Sequence, residues 1–407
     1  MRILILTPQL PYPPRQGTAL RNWGILSNLA RHHEVWLLSF DEQAVDAQSV
    51  NIAPQLLSAC RQVSAFPVPR RATTDRLRTL VTSALPDMAW RLWSPQFAER
   101  LGEWVRQNTF DIIQVEGIEL ARYILQARID NRRTRVVFDD HNCEYLLQRR
   151  AFETDLRQPL RWHAAAYSLA QWRRLRDFER RAAKHAHATL CVSPQDAALL
   201  TALDPSIRAH VIFNGIDVQS YQHEAATPSK APTLVFTGKM DFRPNVDAML
   251  WFCANVFPRI RQAVPDARLL IVGQRPSPRL DTLRADSAIT LTGEVDDVRP
   301  YIASADVYIA PLRVGGGTRF KLLESMAMRK AIVSTTLGCE GFEVTSGKQL
   351  IIADAPIEFA DATARLLKDE ITRLKLGRQA HAFVSSRYDW SAIVPRLERV
   401  YNNILNS

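Results

Sequence analysis

The chain has 407 residues, 46% apolar and 23% charged, with a formal net charge of +10 at neutral pH. That length suits two domains better than one hydrophobic core, and no stretch is apolar and long enough to cross a bilayer. The cysteines (Cys60, Cys143, Cys191, Cys253 and Cys339) are scattered and odd in number, with no CxxC or Cys/His pair at metal spacing, which argues against a disulfide framework and a zinc site.

The chain opens with a short apolar run at 2–7, followed by Pro8, Pro11, Pro13 and Pro14. A signal peptide needs a longer apolar core and a small-residue cleavage site, so the run is read as a first strand and the protein as cytoplasmic. Further strand candidates lie at 34–40, 111–116, 135–139, 189–193 and 210–214, separated by helical stretches; the first helix is expected at about 18–32, after the loop Pro14-Arg15-Gln16-Gly17-Thr18. Short β-branched runs alternating with helical patterns argue for a parallel sheet with crossover helices.

The strand at 136–139 runs into Asp139-Asp140-His141-Asn142-Cys143-Glu144. Polar groups at the carboxyl end of a parallel strand face the ligand crevice; the plainer alternative is helix capping by Asp140 or Asn142. The stretch 147–188 concentrates Arg149, Arg150, Arg157, Arg161, Arg173, Arg174, Arg176, Arg180, Arg181 and Lys184 around Trp162 and Trp172. Two readings stay open for it: a solvated helix face partly balanced by acids, or an interface with an anionic membrane or acceptor.

A polar, proline-bearing stretch at 219–232 reads as a linker. The alternation then restarts, with strands at 233–238, 267–273, 288–293, 307–311, 331–335 and 349–353, and helices at 246–264, 320–328 and 392–405. Eleven of the fifteen glycines lie at 215 or beyond, and Gly238, Gly273 and Gly293 close predicted strands. Glycine there lets backbone N–H groups approach a phosphate.

In the segment 306–335, a strand leads through Gly315-Gly316-Gly317-Thr318 into a helix. Unpaired N–H groups and the dipole make a helix N-terminus an anion site, and Arg313, Arg319 and Lys321 add charge around it. Lys321 and Glu324 are three apart, on one helix face, and a carboxylate one turn past a phosphate site is placed to accept two ribose hydroxyls. Together these describe a nucleoside-diphosphate clamp. GxxxxGK[ST] is absent, and the first strand does not run into GxGxxG, which disfavours P-loop and NAD readings.

The segment RVGGGTRFKLLESMAMRKAIVST resembles the donor site of retaining family 4 glycosyltransferases, in the branch with a triple-glycine donor loop, and the resemblance covers essentially the whole chain. It implies an α/β chain with the GT-B fold. Two Rossmann-like doubly wound domains face each other across a cleft: an acceptor domain at 1–217 and a nucleotide-sugar donor domain at 218–388, with a terminal helix at 389–407 crossing back. In FTGKMDFRPNVDAMLWF, Gly238 and Lys239 resemble the first donor-domain loop, with Arg243 a second contact. IVGQRP (Gly273) and LTGEVDDV (Glu294, Val295) are similar to the loops around the base. FNGIDV resembles the interdomain sequence and SPQDA the start of a late helix. The family often carries two glutamates with seven residues between them; the second matches Glu324, and the first falls on Gly316.

The resemblance also gives Gly17 a contact with donor or acceptor, a role that competes with a simple helix start capped near Thr18. HNxE places His141 near the transferred sugar, and Glu116, in DIIQVEG, falls where some members have a histidine. It implies transfer from a nucleoside-diphosphate sugar with retention and without a metal or cofactor. Lys239, Arg319 and Lys321 would stabilise the departing diphosphate, and His141 would position groups. The acceptor expected is a glycan or a lipid-linked glycan, with peripheral contact at the inner face of the membrane and no nucleic-acid partner. An inverting transferase, a sugar-nucleotide epimerase and a non-catalytic sugar-nucleotide binder share the architecture and remain alternatives.

Overall fold

The structure is a computed structural model that describes residues 1–14, 17–127, 129, 133–156, 162–221, 231–315 and 320–407, apart from the side chains of Ala151, Thr154 and His163. The chain divides into two compact units, Met1–Phe213 with Ile393–Ser407, and Asn214–Ala392.

The first unit is built on strands β1 (Arg2–Thr7), β2 (Glu34–Asp41), β3 (Gln62–Pro67), β4 (Ile112–Glu116), β5 (Arg135–Asp140), β6 (Ala188–Cys191) and β7 (Ala209–Val211). They form a seven-stranded sheet in the order β3-β2-β1-β4-β5-β6-β7. Every pairing is parallel; Ile3 aligns with Val35 on one side and Ile112 on the other. Central strands of such a sheet are covered on both faces and read as unbroken apolar runs; in β4 all five residues are buried. The order turns outward in both directions from β1 and β4, and the carboxyl ends at such a switch point form the ligand crevice. Glu116 ends β4.

β3 was not among the expected strands. It pairs only with β2, its residues are partly exposed, and it ends in Pro67, so an edge strand with a terminal proline gives no apolar run to read. The terminal segment packs within this unit. Tyr401 donates its hydroxyl to Gln114 of β4, Arg135 Nε donates to the Ile404 carbonyl at 2.9 Å, and Glu398 lies 3.0 Å from His33 Nε2.

The second unit carries β8 (Thr233–Thr237), β9 (Arg268–Val272), β10 (Ile289–Leu291), β11 (Val307–Ala310), β12 (Ala331–Ser334) and β13 (Ile351–Ile352). These form a six-stranded, all-parallel sheet in the order β10-β9-β8-β11-β12-β13. Its switch point lies between β8 and β11, so the loops that follow these strands meet there. The helix expected over 246–264 is two helices, Arg243–Asn255 and Phe257–Ala263, broken at Val256 before Pro258. Where the chain enters and leaves this unit, Ile216 pairs in parallel with Asp389, and the Val218 N–H donates to the Asp389 carboxylate at 3.0 Å. Of the expected linker, residues 219–221 belong to a 3-10 turn, Val218–Tyr221, and 222–230 lie outside the described residues.

Candidate active site

In the second unit three strand ends are laced together by backbone. Gly238 N donates to the Val272 carbonyl at 3.0 Å, and Gly273 N to the Gly293 carbonyl at 3.2 Å. Gly238 and Gly273 have φ of +153° and +152°, and a Cβ on Gly273 would lie 1.7 Å from the Gly238 oxygen. Only glycine fits this crossing. A Cβ on Gly238 would come within 2.9 Å of Lys321 Nζ, which places the Lys321 ammonium directly over the end of β8.

Lys321 and Glu324 stand on the first turns of helix Phe320–Ala327, after β11. The Lys321 ammonium donates to Asn245 Oδ1 at 2.8 Å and lies 4.1 Å from the centre of the Phe236 ring. Asn245 in turn donates to the Lys239 carbonyl at 2.9 Å, so it ties the β8 loop to the lysine. Glu324 accepts from the Tyr221 hydroxyl at 3.1 Å. Burial pushes the Glu324 carboxyl up to about 7, with Tyr221 and Lys321 pulling it down. Arg299 Nη1 holds the Tyr221 turn by donating to the Ser220 carbonyl at 2.7 Å.

Gly238, Gly273 and Lys321 therefore converge, with Glu324 one turn further along the helix. Lys239 is half exposed and 3.9 Å from Asp241, and Arg243 is exposed at the start of helix Arg243–Asn255. Gly315 is exposed on the approach to the helix, while Gly316, Gly317, Thr318 and Arg319 lie outside the described residues. Glu294 is exposed and Val295 partly buried after β10. Arg313 departs from expectation. It pairs with Asp247 at 3.0 Å and lies 5.2 Å from the Trp251 ring, so its charge is spent on the neighbouring helix.

In the first unit the carboxyl ends of β4 and β5 bring Glu116 and His141 together, Glu116 Oε2 to His141 Nε2 at 2.7 Å. Glu116 is completely buried and His141 partly so. Burial pushes Glu116 up, but His141 and Arg21 outweigh it and hold the carboxylate below its ordinary value. Burial alone would lower His141; the bond to Glu116 and the charge of Asp139 outweigh it and raise the imidazole. Helix Gly17–Leu29 supplies the floor. Gly17 is its exposed first residue, and one turn on, Arg21 forks onto Asp139 (Nη2 to Oδ2, 2.8 Å) and donates to the carbonyls of Ile212 and Phe213 at 3.0 and 3.1 Å. With its amide nitrogen turned to the acceptors, Asn22 donates to Glu116 Oε2 at 3.0 Å.

The capping role considered for Asp140 and Asn142 falls to a residue the sequence did not single out. The first N–H groups of helix Glu144–Leu156, those of Glu144 and Tyr145, donate to Glu179 at 2.9 and 2.8 Å. Glu179 and Asp140 are both buried, and both are pushed above the ordinary carboxylate range, chiefly by burial. Asp140, Cys143 and Glu179 bring ligand atoms within 4.8 Å of one another, as do Glu116, Asp139 and His141. In the latter group Asp139 is forked by Arg21 and Glu116 is bound to His141, so the lone pairs an ion needs are already engaged. In the former, burial drives the Cys143 thiol far up.

The missed residues share a trait. Arg21 sits inside an apolar helix run, where a charge needs a buried partner, and that was its only signal. Asn245 and Tyr221 act through contacts far from them in sequence and left none.

Two parallel-sheet Rossmann-like units, the second with a lysine and a glutamate over its switch point, define the GT-B class. Sucrose-phosphate synthase from Thermosynechococcus elongatus superposes over the whole of both chains with a TM-score of 0.72 at 16% identity. HepE of Anabaena, in complex with UDP and glucose, superposes over 99% of this chain and 100% of its own with a TM-score of 0.66 at 14% identity. The model of Glycosyltransferase Family 4 matches residues 17–220, half of the chain, and that of Glycosyl transferases group 1 matches residues 231–369. The chain belongs to glycosyltransferase family 4. It is 31% identical over 209 residues to the phosphatidyl-myo-inositol mannosyltransferase of Mycobacterium tuberculosis, a match covering 48% of this chain and 54% of that one. It is 26% identical over 217 residues to a GDP-mannose-dependent phosphatidylinositol monomannoside mannosyltransferase of Corynebacterium glutamicum, covering 48% and 55%. The matched region thus spans about half the length of these curated relatives.

Proposed function

We propose that this protein transfers a sugar from a nucleoside-diphosphate sugar to an acceptor hydroxyl, with retention at the anomeric carbon, in the assembly of a glycolipid or cell-surface polysaccharide. The observation that carries the proposal is the placing of Lys321 over the Gly238 strand end, with Glu324 one turn along the same helix. The lysine meets the diphosphate, and the carboxylate takes the ribose hydroxyls. Departure of the nucleoside diphosphate builds negative charge, and fixed cations, Lys321 first and Lys239 beside it, stabilise that charge in place of a metal. Gly17, Arg243, Glu294, Val295 and the loop 315–319 complete the donor contacts in this reading.

Retention is the outcome that family 4 membership leads one to expect. The acceptor hydroxyl then attacks from the side of the leaving group, and the departing phosphate takes its proton. His141, locked by Glu116, orients hydroxyls of the transferred sugar. The similarity to mannosyltransferases named for phosphatidylinositol acceptors supports a lipid-borne acceptor, and puts GDP-mannose first among donors to test.

A thermal-shift panel of GDP, UDP, ADP, CMP and their sugar conjugates without added metal tests this, because a ligand that binds only the native state raises Tm with the logarithm of its concentration over Kd. One nucleoside diphosphate should shift the protein selectively, and Lys321→Ala and Glu324→Ala should abolish the shift. A flat panel at saturating ligand overturns the donor site. Product NMR then decides retention by the anomeric configuration.

A further inference from the structure

Past Glu116, β4 runs into Gly117, whose N–H donates to the Asp139 carbonyl of β5 at 2.9 Å. Gly117 has φ of +86°, a conformation in which a side chain is strained. A Cβ there would lie 3.1 Å from Glu119 Oε2 and 3.9 Å from His141 Nδ1. Apart from the two flanking residues, no other described heavy atom comes within 4 Å of that point. The glycine thus leaves an opening bordered by two polar atoms, one from the loop after β4 and one from the loop after β5.

Neither atom is used by the protein itself. Glu119 stands on the turn Ile118–Leu120, whose other two side chains are buried. Exposed Arg91 lies 3.7 Å from Glu119 Oε1, and Oε2 has no hydrogen-bond partner among the described residues. His141 gives Nε2 to Glu116 at 2.7 Å, and Nδ1 likewise has no partner among them. The opening reaches solvent, since the Glu119 and His141 side chains are 20% and 15% exposed. Glu144, at the start of the next helix, adds a third polar group to this corner: burial, with the Glu119 charge, pushes its carboxyl up to about 7.

The two atoms select the group that fits between them. An ionised carboxylate only accepts, and a protonated imidazole already bonded through Nε2 offers one more N–H, at Nδ1. The Glu116 bond that raises His141 favours this protonated form. A hydroxyl donates and accepts, so it can bridge Nδ1 and Glu119. A phosphate or carboxylate would meet the Glu119 charge, and an ammonium has no lone pair for Nδ1–H. We infer that Glu119 and His141 Nδ1 bracket a hydroxyl-binding subsite over Gly117, with Glu119 a substrate-binding residue. The inference rests on the transferase reading and gives the hydroxyl that His141 orients a second contact.

Calorimetry of the full chain with GDP-mannose and with GDP, or with whichever such pair the nucleotide panel selects, tests the inference. Glu119→Ala should weaken the nucleotide sugar by about ten- to hundredfold, the range for a hydrogen bond to a charged group, and leave the bare nucleotide unchanged. Glu119→Gln keeps an acceptor oxygen and should lose less. The deoxy donor that lacks the bound hydroxyl should bind wild type and Glu119→Ala alike. Unfolding temperature should not move, because the ion pair with Arg91 is long and exposed. Unchanged donor binding with an acceptor KM raised to the same extent supports the subsite and gives it to an acceptor hydroxyl. Wild-type values in both Glu119 variants, for donor and acceptor, overturn it and leave only water in the opening. A lowered unfolding temperature with equal losses for nucleotide and nucleotide sugar also overturns it, as the role is then structural. A panel that is flat for the wild type sinks the donor reading and this subsite together, whereas intact nucleotide binding with unaffected Glu119 variants sinks the subsite alone.

Discussion

The Lys321 ammonium is held between the Asn245 side-chain oxygen, 2.8 Å away, and the face of the Phe236 ring, 4.1 Å from its centre. Both partners orient the cation without neutralising it. A flexible lysine would have to be ordered when the diphosphate arrives; here that cost is met in folding. Lys321→Ala should therefore lower kcat/KM by about two to three orders of magnitude, the usual loss when one preorganised charge-stabilising donor is removed. Asn245→Ala should lower it less, by roughly tenfold, because the charge remains and only its aim is lost. Equal losses in the two variants, in steady-state kinetics with the identified donor, would contradict this division of labour.

Glu324 makes donor binding depend on pH. Its carboxyl is pushed up to about 7 by burial, and ribose hydroxyls are accepted best by the ionised form. Binding should be full well above 7 and weaken as the pH falls through it, to about tenfold weaker near pH 6 than near pH 8. The free protein moves oppositely, since a carboxyl raised in the folded state favours folding at low pH. Glu324→Gln should flatten the binding profile, leaving only the titration of the diphosphate itself. Isothermal titration calorimetry of both proteins across this range measures the difference.

The parts of the molecule legible in sequence were those with local periodicity. All but one of the strands announced themselves as β-branched runs, and β3 did not, because an edge strand ending in Pro67 needs no apolar face on both sides. Lys321 and Glu324 were legible because the residues that define the site lie one helical turn apart. Their partners were not. Tyr221 lies 103 positions before Glu324, and Asn245 76 before Lys321, and nothing local marks a tyrosine at the end of a polar stretch as a ligand of a distant carboxylate. His141 and Glu116 were each singled out, but their pairing follows only from β4 and β5 being neighbours in the sheet. Arg313 shows the opposite error: nearness in sequence to a glycine loop put it there, and Asp247 on another helix took it.

The His141–Glu116 pair predicts a shift that can be read directly. Burial pulls the imidazole down while Glu116 and Asp139 pull it up, and the carboxylates prevail. In Glu116→Gln the largest favourable partner loses its charge, so His141 should titrate below the wild type and below an exposed histidine. Stability from the charged pair is present between the lowered Glu116 value and the raised His141 value and is lost as pH leaves that window on either side, so the variant should be destabilised most in mildly acidic solution inside it. NMR titration of the His141 ring gives the first result and denaturation at two pH values the second. An unchanged histidine titration would mean that Asp139 alone sets it.

Asp140 and Glu179 carry a proton into the fold. Neither Asp140 oxygen has a partner when the group is treated as a carboxylate, and burial beside Glu179 raises it well above the ordinary range. A protonated Asp140 donating to Glu179 satisfies both, and leaves the Glu179 carboxylate free to accept the N–H groups of Glu144 and Tyr145. The sign follows from linkage. The folded state binds a proton that the unfolded chain releases above about pH 4, so stability is full below that pH and declines as pH rises toward the raised folded value, by up to about 1.4 kcal/mol per pH unit. Asp140→Asn supplies an N–H donor in place of the shared proton, so it should flatten this slope and be the more stable protein at neutral and alkaline pH. Asp140→Ala removes the donor and should be less stable than Asp140→Asn throughout. Urea unfolding of the three proteins from acid to mildly alkaline pH decides it: a wild-type curve that rises with pH over this range would show that the pair is ionised in the folded state.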